Sequence, residues 1–460
     1  MGDKKIHMIG IGGIGMSALA FILAETGYSI SGSDIEENNV IKKLRRKGVT
    51  VDIGHDASRI KGRDLVVYSS SIRADNPELL QARKDGKKVI PRMELLKMVM
   101  EKHKRVIAVT GTHGKTTITA MAAHLAEEAG FDPTVLIGGE SPHFGGNAKL
   151  GKGGTLVAEV DESDGRFVML EGITHIIIPN LEKEHVEHYR DEAHLVKTFR
   201  DFLGRARPGG VFFYNFDDAN LKRIKGAYNG KVTSFGFSEG ADIRASAVKK
   251  EIFKIDFDCL LRRKKIGRFT INTPGIHNVL NATAVISLGL DLGIDKSRIK
   301  RALARYKGVK RRFEVIGDIN GARVVEDYAH HPTEVKAAIS AAYSLKPKRL
   351  ITVFQPHRYT RTKYFYKEFA SSFSGSDEVI LAGVYSASEQ RIEGASSKRI
   401  YDIMAKDKTP PVKLMETEKI GEYLCRNTKK GDLVLVMGAG DIGKVINEEC
   451  IFGNKRQSSF

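Results

Sequence analysis

Three features of the sequence predict an α/β protein of three domains. Its 460 residues exceed what a single core holds at roughly 100–200 residues per domain. Short apolar runs alternate with helical patterns along most of the chain, as parallel βαβ units require. Two glycine-rich turns, Gly10–Gly15 and Gly111–Lys115, each join a strand pattern to a helix pattern.

Taken in order, Ile6 to Ile9 reads as a strand, Met16 to Thr26 as a helix and Tyr28 to Ser31 as the next strand. Val40 to Lys47 is helical, and Leu65 to Tyr68 forms a further strand. A second unit opens with the strand Arg105 to Val109 and continues as the helix Thr116 to Ala129, with buried strands at Leu156–Glu159 and Ile176–Ile178. Alternation of polar and apolar residues in about 231–272 predicts an antiparallel ribbon. A third α/β region places strands at Val324–Val325, Leu350–Phe354, Glu378–Leu381 and Leu433–Met437. Seams near residues 102 and 313 divide the chain into 1–102, 103–312 and 313–460.

Composition excludes several classes. Hydrophobic residues at 41% and charged residues at 28% fit a globular chain rather than a disordered one. No run of roughly 18 apolar residues is present, and the start lacks the apolar stretch of a secretory signal. Cys259, Cys425 and Cys450 are too few and too scattered for a disulfide framework or a zinc finger, which predicts a cytoplasmic protein. The net charge of +18 is spread along the chain: the first hundred residues carry 17 Lys and Arg against 12 Asp and Glu, the rest 57 against 44. The basic run Lys42–Lys47 fits the solvated face of a helix. A diffuse positive field attracts anionic small molecules, and no basic region interleaved with aromatics suggests nucleic acid.

The first loop, Gly10-Ile11-Gly12-Gly13-Ile14-Gly15, has glycines where backbone N–H groups must approach a diphosphate at a helix N-terminus. Asp34 follows the second strand where a dinucleotide fold places its ribose-binding acid. That geometry specifies a diphosphate and a ribose without specifying nicotinamide. The second loop is sharper. In Thr110-Gly111-Thr112-His113-Gly114-Lys115-Thr116-Thr117 the amides cradle phosphates, Lys115 reaches β/γ oxygens and Thr116 can ligate Mg²⁺. Val109 occupies the position where a standard P-loop has its first glycine, which argues against ordinary GTPases and motor ATPases. Glu159, at a buried strand end, and His185, after the next strand, are candidates for the metal; the alternative is an acidic turn with a surface histidine.

Together these residues resemble the ATP-dependent Mur ligases. The resemblance rests on His7 to Ser17, Thr110 to Thr117, Glu159 to Asp164, Pro274 to Ala282, Arg311 to Phe313, Asp327 to Glu334, Phe354 to Arg361 and Gly438 to Ile442, in that order. It implies an N-terminal Rossmann-like UDP-binding domain, a central P-loop ATP-binding domain and a C-terminal Rossmann-like domain for the amino acid. It also implies joining of L-alanine to the lactyl carboxylate of UDP-N-acetylmuramate through an acyl phosphate, with ATP and Mg²⁺, by a monomer or weak homo-oligomer. Gly12, Gly13, Gly15, Met16, Ser17, Asp34, Ser69 and Ser70 would line the UDP pocket. Gly111 to Thr117 would hold ATP phosphates, with Asn278 and Asn281 on adenine and Arg312 and Asp327 closing on phosphate and ribose. For the two asparagines, a helix cap and a core amide are the alternative. Thr116, Glu159 and His185 would hold metal, with Lys115, Glu159, His185 and His330 catalytic. Tyr328, His330, His357, Arg358 and Arg361 would orient alanine, whose carboxylate suits a guanidinium.

Two departures stand out: Glu184-His185-Val186-Glu187 replaces the commoner Asp-His-x-Asp, and Pro179-Asn180 the commoner Thr-Asn. Lys197 and Arg200 lie in the region where several Mur ligases carry a carbamoylated lysine, and neither is assigned that role. Rival readings remain. A sister ligase would add a different amino acid. An oxidoreductase would leave the second loop unexplained, and the diffuse charge and absent stacking residues speak against a nucleotide switch or nucleic-acid binder. The acyl phosphate has to be shielded from water, so closure about a hinge near residue 313 is expected.

Overall fold

A computed structural model describes residues 4–207, 209–407 and 410–446. It contains three sheets, each flanked by helices. The N-terminal sheet is wholly parallel, in the order Thr50–Ile53, Ser29–Asp34, Lys5–Ile9, Leu65–Tyr68, Lys88–Pro91. Its central strand Lys5–Ile9 is buried beyond its first residue and continues through the glycine loop into the helix Ile14–Glu25. The sheet reverses its order at that strand, which places the loop at the switch point where α/β sheets bind ligands. Basic residues of Lys42–Lys47 ring a helix whose Ile41 and Leu44 are buried, as a solvated face should; Lys43 goes further and reaches Glu140 at 2.8 Å.

The ten-stranded central sheet has Arg105–Val109 between His175–Ile178 and Thr155–Glu159, all parallel. The helix Lys115–Glu128 packs Ile118, Met121, Ala122 and Leu125 into the core beneath it. Here the expected ribbon needs correction. The antiparallel strands begin at Ile243, as Ile243–Glu251, Lys254–Leu261 and Lys264–Ile271. Lys231–Gly236 is instead a parallel neighbour of Val211–Asn215. The Asp242 carboxylate accepts from both the amide and the hydroxyl of Ser234, tying the end of that strand to the turn that starts the ribbon.

The third sheet runs Glu314–Ile319, Ala322–Asp327, Asp432–Met437, Arg349–Phe354, Glu378–Leu381, Val412–Leu414. Only its first pair is antiparallel, closed by Asn320 and Gly321 at positive φ. The other expected strands and helices recur within one or two residues, except that the strand expected at Tyr28 to Ser31 runs on to Asp34. Cys259 is buried in the ribbon, whereas Cys450 and the end of the 313–460 segment lie outside the described residues. Among the described residues no helix is long and apolar enough to cross a membrane.

Candidate active site

Glycine is required twice in the second loop. Gly111 has φ +115° and Gly114 φ +83°, and a Cβ on either would come within 2.8 Å of an oxygen, Asn180 O or Asn281 Oδ1 respectively. The amides of Thr112 and His113 are anchored by the backbone and side-chain oxygens of Asn180 at 3.1 and 2.7 Å. Thr112 also binds the backbone of Glu182 through its hydroxyl. Lys115 folds back over the loop, donating to Gly111 O at 2.6 Å, Thr112 O at 3.0 Å and Glu162 Oε1 at 2.9 Å. Burial opposes the ammonium charge, but the Glu162 and Glu159 carboxylates outweigh it and raise the pKa of Lys115.

Glu159 is no surface acid. One oxygen accepts from Thr116 Oγ1 at 3.0 Å, the other from Gly138 N at 2.7 Å, and burial pushes its carboxyl pKa up. Glu162 Oε1 also lies 3.2 Å from His185 Nε2, so one carboxylate joins the P-loop lysine to the candidate metal histidine. Its other oxygen is buried without a hydrogen-bond partner among the described residues. The orphaned oxygen of Glu162, whose other oxygen meets Lys115 and His185, suits a hard cation such as Mg²⁺, as do the Thr116 hydroxyl and the Glu159 carboxylate, so the residues fit the group. His185 itself has φ +52°, an uncommon backbone for a non-glycine residue and a frequent one at functional sites. Glu162 and Glu187 overcome burial to raise its pKa to about 9.

A cleft of about 270 Å³ runs from this point to the first loop. Gly13, Gly15, Met16, Ser69 and Ser70 line one end; Lys115, Glu159 and Asp161 line the other, with Arg92 between. Arg92 Nη2 binds Asp161 Oδ2 at 2.9 Å and packs so closely on Gly15 that a Cβ there would meet it at 2.8 Å. Asp34 sits behind the loop, accepting from Gly12 N at 2.8 Å. Ser17 is turned away to Asn147, whose amide also holds Ile14 O at 2.7 Å and so ties the first loop to the central domain.

A second pocket, of about 160 Å³, lies on the far side of the P-loop. It collects His113, Gly114, Thr117, Asn278, Asn281, Arg312 and Asp327 from four separate segments. Asn281 donates to Asn278 Oδ1 at 3.1 Å, and Asn278 donates to Pro274 O at 2.7 Å, so each amide is oriented by its neighbour. Asp327 accepts from the amides of Phe313 and Ala329, and burial raises its pKa to about 6 despite Arg312.

The third domain meets the central one through charge. Glu184 and Arg361 form a buried pair at 2.8 Å, Glu187 meets Arg358 at 2.7 Å, and Thr333 donates to Glu182 at 2.6 Å. His330 Nδ1 donates to Tyr328 O, 2.9 Å away, and burial lowers its pKa to about 4. His357 stacks on Tyr385, while the guanidinium groups of Arg311 and Arg312 both lie about 5 Å from the Tyr328 ring centre. Lys197 lies on an exposed helix face, paired with Asp201. Glu162, Arg92, Asn147, Asn180, Glu182 and Glu334 carry much of this geometry without having been singled out by sequence. Three of them had a signal: Asn180 stands in a departure from the family pattern, and Glu162 and Glu334 lie within segments that carry the resemblance.

His113 links the P-loop to the third domain, with Nδ1 3.2 Å from Glu334 and Nε2 3.6 Å from Glu182. Burial disfavours its charge, but Glu334 and Glu182 prevail and hold the pKa at about 9, above the ordinary 6.5. A raised folded pKa contributes stability that is full below pH 6.5 and is lost as pH rises through about 9. His113→Gln should therefore destabilise the protein more at pH 6 than above pH 9, read from denaturant midpoints. A variant deficit that did not shrink across that window would remove the charged link.

Three family models match the chain in order: the Mur ligase family catalytic domain over residues 5–104, the Mur ligase middle domain over 109–289, and the Mur ligase glutamate ligase domain over 311–440. A UDP-N-acetylmuramate–L-alanine ligase of Desulforamulus reducens is 43% identical over 444 residues, 96% of each chain. That of Carboxydothermus hydrogenoformans is 42% identical, over 96% of this chain and 95% of its own. The crystal structure of the UDP-N-acetylmuramate-alanine ligase of Thermotoga maritima superposes with a TM-score of 0.85 at 29% identity, over 99% of this chain and all of that one. Matched by all three domain models and by relatives along nearly its whole length, the chain belongs to the Mur ligase family.

Proposed function

We propose that this chain ligates L-alanine to the lactyl carboxylate of UDP-N-acetylmuramate at the expense of ATP, in the cytoplasmic assembly of peptidoglycan precursor. The observation that carries this reading is the single cleft whose wall holds both the first glycine loop and the Lys115–Glu159 end of the second. A UDP-sugar with its diphosphate on Gly13 and Gly15 directs its acid toward the P-loop. The relatives named for this reaction support the choice of substrates.

A carboxylate resists attack by an amine because its oxide is a poor leaving group. One carboxylate oxygen attacks the γ-phosphorus, the bond to the β–γ bridging oxygen breaks, and ADP leaves. The alanine nitrogen then attacks the acyl carbon, phosphate departs with its oxygen, and the amine sheds a proton. Two anions meet in the first step, so charge neutralisation dominates catalysis. Lys115 supplies a fixed cation, with its ammonium released from Glu162 toward the phosphate. Thr116, Glu159 and His185 would hold Mg²⁺, which would supply further neutralisation there. Asn278 and Asn281 face adenine, and Arg312 and Asp327 close over phosphate and ribose. His330, neutral at pH 7, offers a ring nitrogen to the incoming amine. Tyr328 and His357 wall that pocket. Arg358, partly exposed, exchanges its contact with Glu187 for the alanine carboxylate, while the buried Arg361 positions the segment around His185.

ADP release by the purified chain with ATP, Mg²⁺ and UDP-N-acetylmuramate, offering amino acids in turn, tests the reading. Turnover should need L-alanine or a similarly small amino acid. Turnover with D-glutamate or diaminopimelate but not L-alanine would make it a sister ligase.

A further inference from the structure

On the far half of the P-loop helix, away from both pockets, three side chains converge. His124 and Glu127 are three residues apart on the helix Lys115–Glu128 and so share a face. His143 comes to them from the turn between the strands Thr134–Ser141 and Gly146–Lys149. His124 Nδ1 lies 3.2 Å from His143 Nε2, which also contacts Glu127 Oε2, and one ligand atom from each lies within 4.8 Å of the others. We propose that His124, Glu127 and His143 form a binding site for a divalent transition-metal ion of the zinc class, which fastens this hairpin to the P-loop helix.

Two imidazoles and one carboxylate are a zinc-type donor set and a poor one for Mg²⁺, and a separation of 3.2 Å between nitrogens matches two corners of a tetrahedron around one ion. Supporting contacts orient the ligands. Lys149 holds the other Glu127 oxygen at 2.6 Å, and His143 packs edge-on against Phe144. His124 is 5% exposed, whereas His143 and Glu127 are about a third exposed, so an ion has a route in from solvent. The site has a consequence for the cleft. The same hairpin carries Leu136, Ile137 and Gly138 in the cleft wall, and the amide of Gly138 holds Glu159.

Zn²⁺ uptake, measured by competition with a chromophoric chelator, tests this on the full-length protein without nucleotide. Wild type should bind one equivalent more than His143→Gln, and Glu127→Gln should bind that equivalent about tenfold or more weakly. Zn²⁺ should raise the thermal midpoint of wild type more than that of His143→Gln. Metal held at Glu159 and His185 would be retained by both variants and so would cancel. Equal stoichiometry and equal thermal shifts in wild type and His143→Gln, or no uptake by wild type at micromolar free Zn²⁺, would overturn the proposal. His143 lies outside the ligation machinery, so ADP release by its variant in Mg²⁺ reports separately on the proposed function.

Discussion

Lys115→Ala should lower kcat for ADP release by about 10³-fold. Removal of one preorganised donor from a developing oxyanion typically costs 10²–10³-fold, and here the donor carries a full charge in a buried site. The substitution also leaves Glu162 and Glu159 without the cation they share. The Glu159 carboxyl, already pushed up by burial, then loses the charge that opposed that rise, which weakens any metal it holds. Lys115→Arg keeps the charge but exchanges a compact ammonium for a planar fork that the contacts to Gly111 O and Thr112 O do not accommodate. It should recover little. The measurement is steady-state ADP release at saturating ATP, with folding checked by unfolding midpoint. A decrease of less than tenfold in a folded Lys115→Ala variant would end the acyl-phosphate reading.

Why was Lys115 legible in the sequence when its partner was not? The loop is local: glycines at 111 and 114 and a lysine opening a helix specify their geometry over a few residues. Glu162 is different. It stands in a turn with Asp161 and Asp164, and the string does not reveal which carboxylate points inward. That choice depends on where Tyr189, whose hydroxyl meets Glu162 O, packs beneath the turn. Asn147 and Arg92 were harder still, because their significance lies in contacts with segments more than 65 residues away.

The fold shows the same division. Apolar strands such as Ile176–Ile178 and Leu433–Met437 are evident because both faces are buried. The edge strands Lys88–Pro91 and Val412–Leu414 escape, being three or four residues long, only partly buried and held by their neighbours. The asparagine pair lies between these cases. Spacing puts Asn278 and Asn281 on one helix face, but only the packing of that helix on Lys115–Glu128 brings Asn281 against Gly114.

Arg361→Ala should destabilise the folded chain by about 3–5 kcal/mol, the usual result of stripping one partner from a buried ion pair. Both side chains are 6% exposed, and two nitrogens of Arg361 reach a single Glu184 oxygen at 2.8 and 2.9 Å. Arg361 belongs to the helix Tyr359–Ala370 of the third domain, and Glu184 is next to His185 in the central one. The loss therefore falls on the contact that closes the third domain over the P-loop, and KM for alanine should rise with the drop in stability. Burial works against the Glu184 carboxylate, yet Arg361 and His185 hold its pKa well below the usual 4.5. By linkage the pair's contribution is complete above pH 4.5 and disappears only as pH falls toward that depressed value. Replacing both partners by apolar residues of similar volume, Glu184→Leu with Arg361→Met, removes the stranded charge and should restore most of the stability without restoring the alanine KM. Denaturant unfolding of the two single variants and the double variant measures this coupling. A double variant as unstable as the sum of its singles would show that the pair does not act as a unit across the interface.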